Sequence, residues 1–333
     1  MTGVLITGGG GFLGSHLAQE YLGKKIPVIC VDNFSTGLKS NRAHLEKLPE
    51  AKNLLTFIEK DVSKPWDSWS SQVSKLPISH IFHFASPASP PHYQRLSFET
   101  MAVNTTGLLE AMQFAEKFKA RVIFASTSEI YGDPEVSPQP ESYWGHVNTL
   151  GPRSCYDEAK RFGETLMYAY NQKFQTKHGL VRIFNTFGPR MNPNDGRVII
   201  NFLVQAIRGE KMSIYGSGKQ TRSFCYVSDL IAGIDRYGRT DLTEPVNVGN
   251  EKEFTILELV ETVQEIFSDK KLALEFFDLP KDDPRQRCPD LTRAKNLLQP
   301  WQPQVSLKEG LEKMVEWLKA ENLSQVQMAG RPL

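Results

Sequence analysis

Six short apolar runs punctuate the first 184 residues: Val4 to Thr7, Ile26 to Val31, Leu54 to Ile58, Ile81 to Ala85, Arg121 to Ala125, and Val181 to Phe184. Each has the length of a buried strand and ends in polar or turn-forming residues. Apolar positions recur with a helical period over Phe98 to Lys119, and again from Cys155 to about Lys177. Strands alternating with helices predict an α/β fold with a parallel, doubly wound sheet. Ser63 to Pro77, with Trp66 and Trp69, has no clean period and predicts no element.

Beyond Asn185 the rhythm changes. Pro189, Pro193, Gly196, Gly209, Gly216 and Gly218 punctuate shorter elements, so a smaller second lobe is expected. The pattern divides the chain into a sheet domain at 1–184 and a mainly substrate-binding lobe at 185–333. Residues 224–250 are expected to return to the first domain through the run Val246 to Gly249. Helical periods over Ile256 to Phe267 and Leu307 to Lys319 finish the lobe, and the final residues read as a solvated tail.

The first run breaks into Gly8-Gly9-Gly10-Gly11-Phe12-Leu13-Gly14 and then a helical segment. Gly9, Gly11 and Gly14 fit G-x-G-x-x-G, and Gly8, Gly11 and Gly14 fit the looser G-x-x-G-x-x-G. Glycine serves a sharp turn, close approach of backbone to a pyrophosphate, and tight packing of helix on sheet. The helix N-terminus adds free N–H groups and a positive dipole end. The second run ends in Asp32, where a carboxylate is expected to accept from a ribose 2′-hydroxyl. Together these predict a Rossmann-type domain that binds a dinucleotide. Asn33, Phe34 and Ser35 bring no Arg or Lys, which favours NAD over NADP. The loop Asn33 to Gly37, with Ser35 and Thr36, is expected to wrap the adenosine half. Asp61-Val62, closing the third run, lies either beside the adenine or simply at a polar strand end.

Composition narrows the class further. At 333 residues and 40% hydrophobic the chain can bury a large core, and a net charge of +1 gives no reason to expect nucleic acid. The longest apolar stretch, Val198 to Ile207, is too short to span a bilayer and contains Asn201 and Gln205. The first strand starts within a few residues of Met1, so no signal peptide is expected. Cys30, Cys155, Cys225 and Cys288 form no C-x-x-C pair, so neither a disulfide framework nor a metal site is indicated. These features predict a cytoplasmic protein without a membrane segment.

Candidate chemistry gathers at the strand ends, where parallel sheets bind ligands. Phe84, Ala85 and Ser86 end the fourth run beside Pro87 and further prolines, which force the chain out of the sheet as a stiff loop. That edge places Phe84, Ala85, Ser86 and Ala125 at the cofactor and Pro87 at the substrate. His83, surrounded by apolar residues, reads as a core histidine rather than a catalyst. The fifth run ends in Ser126-Thr127-Ser128-Glu129, and a long Pro-, Ser- and Glu-rich loop runs on to about Arg153. Tyr156 and Lys160 share one helix face, one turn apart. A phenol of pKa about 10 is a poor base at neutral pH. Lys160 and the charge of an oxidised nicotinamide are expected to lower it. Tyr156 can then take a proton from a hydroxyl that Thr127 shares, while the nicotinamide takes the hydride.

With these residues in place, Gly8-x-x-Gly11-x-x-Gly14, Thr127, Tyr156 and Lys160 resemble the extended short-chain dehydrogenase/reductases that act on nucleotide sugars. Longer strings resemble the UDP-glucuronate decarboxylases among them. They are Ala85 to Pro91, Tyr143 to Asn148, Phe187 to Val198, Tyr215 to Gly218, Thr221 to Phe224, and Asp282-Asp283-Pro284 with Arg287 and Pro289. The resemblance runs from about Val4 to Leu318. Dehydratases of this family place Asp-Glu after the catalytic Thr. Here Ser128 fills the Asp slot and Glu129 remains, which argues against water elimination. The 4-epimerases usually lack the Glu, which argues less strongly against epimerisation.

The resemblance implies oxidation at C4 of UDP-glucuronate, loss of carbon dioxide and re-reduction to UDP-xylose on a tightly held NAD. It places Thr127, Glu129, Tyr156, Lys160 and Arg287 in catalysis. Arg287 is expected to contact the substrate carboxylate loosely, through water, or to act on proton transfer; the alternative is that it only binds pyrophosphate. Arg222 and Asn185 are expected at the diphosphate. Tyr215 and Arg197-Val198 are expected near the uridine or the cofactor carboxamide, Thr186 at the cofactor, and Arg190 and Arg285 as further substrate contacts. Family members pair as homodimers through two long helices, here near Phe98 to Lys119 and Glu158 to Lys177. Two alternatives stay open. One is another nucleotide-sugar enzyme: a 4-epimerase, a 4,6-dehydratase, or a decarboxylase stopping at the 4-keto sugar. The other is a non-catalytic NAD-binding sensor, which has no need of the catalytic trio.

Overall fold

A computed structural model describes residues 2–73, 76–280, 282–284 and 286–321. The six runs form strands β1 (Gly3–Thr7), β2 (Val28–Asp32), β3 (Leu55–Glu59), β4 (Ile78–His83), β5 (Arg121–Thr127) and β6 (Gly179–Ile183). A seventh strand, Val246–Val248, pairs with β6, so the sheet reads Val246–Val248, β6, β5, β4, β1, β2, β3. Every pairing is parallel. β1 and β2 are buried along their whole length because helices cover both faces, hence apolar runs rather than alternation. Strand order reverses between β1 and β4, and the crevice outside their C-terminal ends is where such sheets bind ligands.

The helical period over Phe98 to Lys119 resolves into two helices, Ser97–Asn104 and Thr106–Glu116. They break at Thr105 (φ −116°, ψ −81°), whose hydroxyl donates to the Met101 carbonyl at 2.8 Å. Such a side-chain bond back to the preceding turn bends a helix without disturbing its apolar spacing. The segment without a period holds a short helix, Asp67–Ser70. Trp66 and Trp69 pack against each other, ring centroids 4.8 Å apart, and against Phe114. Tyr156 and Lys160 lie on the helix Ser154–Phe174.

Past β6 the elements shorten. Met212–Tyr215 pairs with Leu274–Phe277, and Thr221–Ser223 with Glu253–Thr255. Helices Val198–Arg208, Ile256–Ile266 and Leu307–Ala320 pack around these strands. A capping box of Thr255 and Glu258 starts the second of them. Helix Val227–Gly238 packs on the glycine-motif helix Phe12–Gly23, and Val246–Val248 joins the main sheet. The expected tail falls at 322–333, outside the described residues.

His83 is fully buried, with Nδ1 against the Thr7 hydroxyl at 3.1 Å and Nε2 against the Val103 carbonyl at 2.9 Å. Burial pushes its pKa down to about 4. It is a neutral core residue, as its apolar neighbours predict.

Candidate active site

A cleft of about 810 Å³ runs along the C-terminal edge of the sheet and is closed on its far side by the lobe. Its first end is built from the glycine turn. Gly8 has φ +75°, and a Cβ there would lie 2.8 Å from the Ala85 nitrogen. At Gly14 a Cβ would lie 2.1 Å from the Gly8 carbonyl oxygen. Gly11 differs: beyond the Gly8 oxygen at 3.1 Å, a Cβ there would stand in the cleft. A side chain at Gly11 would fill the space that a pyrophosphate needs over the helix N-terminus, so the cradle fits a dinucleotide. Asp32 ends β2 with its carboxylate accepting from the Gly10 and Phe34 amides at 2.9 and 2.7 Å. Burial raises its pKa against the pull of those bonds.

Of the residues expected at the cofactor, Gly8, Gly11, Phe12, Leu13, Gly14, Asp32, Thr36, Phe84, Ser86, Ala125, Thr186 and Arg197 line the cleft. Asn33, Ser35, Asp61, Val62 and Ala85 do not, and neither does Pro87, expected at the substrate. The Asn33 side chain instead accepts from the Ser35 amide, Asp61 caps Ser63, and the Ala85 amide donates to the Thr7 hydroxyl. Arg190 lies at the glycine end rather than beside Arg222. Asn41 binds the backbone carbonyls of both Gly10 and Arg190, and the Arg190 Nε faces His16 at 3.3 Å. Arg285 lies outside the described residues.

The other end of the cleft, where catalysis is expected, collects Thr127 at the last position of β5, Tyr156 in the first turn of its helix and Lys160 one turn on. Tyr156 is buried, hydrogen-bonded with Thr127 and covered by Tyr93. The Lys160 Nζ donates to the Ala125 carbonyl at 2.6 Å and lies 4.6 Å from the Phe124 ring centroid and 5.7 Å from that of Tyr156. Burial pushes Tyr156 up to about 12, with Thr127 and the charge of Arg197 pulling the other way. Burial also brings Lys160 down to about 7. One turn from the phenol, Lys160 is expected to lower it together with the charge of an oxidised nicotinamide.

Glu129, two residues past Thr127, faces two guanidiniums. Arg287 grips its carboxylate with both Nη atoms, Nη2 at 3.0 Å from Oε2, and Arg153 Nη2 lies 2.6 Å from Oε2. Burial alone would raise this carboxyl, but the two cations outweigh it and hold the pKa at about 2. Arg153 Nη1 lies 3.5 Å from Asp283, whose other oxygen accepts from Arg222 at 2.7 Å. Asn185, Val198 and Tyr215 line the cleft beside them. Arg197 bonds the Ala88 carbonyl at 2.8 Å and pairs with Asp195 at 3.2 Å, joining the proline loop to the lobe.

Sequence reasoning missed Arg153, Tyr93 and Asp157. Arg153 stands three residues before Tyr156, a spacing that puts both on one side of a helix start. Asp157 is buried with Oδ1 unpartnered. Burial, then the charge of Glu129, pushes its pKa up to about 8.

Comparison with known proteins agrees with this geometry. The family described as GDP-mannose 4,6 dehydratase matches residues 5–314. UDP-glucuronic acid decarboxylase 1 of Danio rerio is 44% identical over 318 residues, covering 96% of this chain and 73% of the relative. UDP-glucuronic acid decarboxylase 5 of Arabidopsis thaliana is 45% identical over 314 residues, covering 94% and 88%. Among solved structures, the UDP-glucose 4-epimerase of Thermotoga maritima with UDP-glucose superimposes with TM-score 0.86 at 28% identity, covering 96% of this chain and 99% of that one. The UDP-glucuronic acid 4-epimerase of Bacillus cereus, in complex with UDP-glucuronic acid and NAD, gives 0.83 at 26% identity, covering 96% and 100%.

Proposed function

The chain belongs to the GDP-mannose 4,6 dehydratase family of NAD-dependent nucleotide-sugar enzymes, and we propose that it converts UDP-glucuronate to UDP-xylose through a UDP-4-keto sugar. Its curated relatives of about 45% identity are UDP-glucuronic acid decarboxylases. The observation that carries the reading is a part-buried carboxylate, Glu129, held by Arg153 and Arg287 beside Tyr156 and Thr127, with Ser128 where a dehydratase has an acid.

Bound NAD supplies a reversible hydride acceptor for C4. The chain's part is protonic and electrostatic. With its phenol brought down by Lys160 and the charge of an oxidised nicotinamide, Tyr156 takes the proton of the C4 hydroxyl, and Thr127 fixes that oxygen. While C4 is a ketone, the bond from C5 to its carboxylate can break, because its electron pair has the C4 oxygen to run to. Tyr156 and Thr127 hold the oxyanion that forms there. Carbon dioxide leaves, C5 takes a proton from water by way of Glu129, the hydride returns to C4, and Tyr156 gives its proton back to O4. Arg287 is engaged by Glu129 at both Nη atoms. This supports a role in placing Glu129 for proton transfer, because gripping the substrate carboxylate tightly would stabilise the ground state.

Two finer readings belong to the same proposal. Helices Ser97–Asn104 and Ser154–Phe174 lie against each other and expose Phe98 (78%), Phe162 (52%) and Tyr168 (68%). That apolar face supports a homodimer. All four cysteines are free thiols, which supports a cytoplasmic setting, and among the described residues no helix is long and apolar enough to cross a membrane.

The test is direct. Purified protein receives UDP-glucuronate and catalytic NAD, and the product is identified by NMR and mass spectrometry. UDP-xylose with release of carbon dioxide is expected. Turnover of UDP-glucose or UDP-galactose without carbon dioxide loss overturns the reading.

A further inference from the structure

Five charged side chains stand in an alternating row along the cleft. The row begins at the nucleotide end with Arg222, on the strand Thr221–Ser223. It continues through Asp283, Arg153 and Glu129 to Arg287. Arg153, Arg222 and Arg287 are all at most 9% exposed. Three cations face two anions, so the row carries one net positive charge. Charges this deep are tolerated only in each other's company, and removing one changes the hold on its neighbours.

Arg153 is the middle member and touches both anions. Nη2 goes to Glu129 and Nη1 to Asp283, while its Nε is buried without a partner. A guanidinium can span two carboxylates because its donors form a rigid planar fork, whereas an ammonium is a single point. Asp283 in turn accepts from Arg222, the arginine that the decarboxylase reading places at the diphosphate. An arriving diphosphate and Asp283 therefore compete for one cation.

We infer, building on that reading, that Arg153 is a positioning residue that shares its fork between Glu129 and Asp283 and so couples occupancy of Arg222 by a diphosphate to the catalytic carboxylate. When the diphosphate takes Arg222, Asp283 turns to Arg153, and the grip of Arg153 on Glu129 loosens. Filling the nucleotide end thus makes Glu129 easier to protonate at the reacting end. The groups facing Glu129 are Arg153, Tyr156 and Asp157 from the start of the helix Ser154–Phe174, Arg287, Arg222, and Tyr93 from the short helix Pro90–Arg95. Of these only Arg153 also touches Asp283 and a catalytic group.

The test uses full-length enzyme with its NAD, as wild type, Arg153→Gln, Arg153→Lys, Asp283→Asn and the Arg153/Asp283 doubles. UDP affinity is measured by calorimetry, which needs no turnover, and the pH profile of kcat is measured with UDP-glucuronate. Arg153→Gln is expected to weaken UDP binding about fivefold, because Asp283 then rests wholly on Arg222. Asp283→Asn is expected to tighten UDP binding, and in its background Arg153→Gln has no further effect. The apparent pKa assigned to Glu129 rises in Arg153→Gln and returns in Arg153→Lys, whose kcat stays about tenfold low for want of the fork. Equal loss of UDP affinity with and without Asp283 overturns the coupling, and so does an Arg153→Gln pH profile that superimposes on the wild type. Should Arg153→Gln not fold, Arg153→Lys carries the same affinity cycle. Wild-type enzyme that binds UDP but releases no carbon dioxide overturns the decarboxylase reading alone, since the affinity cycle still decides the coupling.

Discussion

Tyr93 lies flat against Tyr156, ring centroids 5.1 Å apart and planes 7° from parallel. The short helix Pro90–Arg95, which follows β4 and its proline loop, thus reaches across the cleft and covers the Tyr156 phenol, fixing its ring and keeping water from it. Tyr156→Phe preserves this stack and removes only the hydroxyl. The variant is expected to lose turnover by about a thousandfold while keeping NAD, measured as nucleotide released on denaturation. Near-normal decarboxylation in that variant would remove Tyr156 from its role.

Glu129 and Arg287 meet from 158 residues apart as a buried, two-pronged pair. Arg287→Lys keeps the charge but not the fork, so kcat should fall about a hundredfold with KM much less affected. Steady-state kinetics on UDP-glucuronate separate the two parameters. A rise in KM at unchanged kcat would instead make Arg287 a plain binding residue.

Asp157 has a raised folded pKa, from 3.8 to about 8, with burial as the chief cause. Between these values the folded chain holds a proton that the unfolded chain has lost, so this group makes stability fall as pH rises from 3.8 to about 8. Asp157→Asn removes that slope. Urea unfolding at pH 5 and pH 8 should show wild type losing more stability over the interval than the variant. Parallel losses in both proteins would mean that Asp157 is not held protonated.

Gly14→Ala places a methyl on the Gly8 carbonyl oxygen, which is backbone and cannot step aside. The glycine turn must open, at a cost of about 1–3 kcal/mol. The purified variant should carry little NAD by its absorbance ratio, and a fully NAD-loaded variant counts against this site for the cofactor.

Phe162→Glu puts a charge on the exposed apolar face of the Ser154–Phe174 helix. Light scattering is expected to show monomer for the variant and dimer for the wild type. A wild-type monomer disposes of the homodimer.

The sheet and the cofactor cradle were legible because their causes are local. Strand length, the glycine turn and Asp32 at the end of β2 all follow from backbone sterics and short spacings. Ion pairs carry no period, so the pairing of Arg153 with Asp283 left no trace, although the spacing of Arg153 from Tyr156 puts both on one side of the helix start. The break at Thr105 depends on one hydroxyl bonding one carbonyl, invisible to an apolar pattern that runs on through it. Tyr156 and Lys160 were identified by their separation, but separation says nothing of depth. Burial pushes the phenol up and the ammonium down, a depth that the four-residue spacing does not carry.

The chain leaves the sheet after Ile183 of β6 and rejoins it on the neighbouring strand at Val246, in register with Val181. The elements between them, helix Val198–Arg208 and the strand carrying Tyr215 among them, are stitched at both ends to adjoining positions of one rigid sheet. A flap secured this way can breathe about its seam but cannot drift off as a bead on a tether would. For a reaction whose ketone must wait in place between two hydride transfers, that seam works as a clasp: it limits how far the roof can lift before the second transfer is complete.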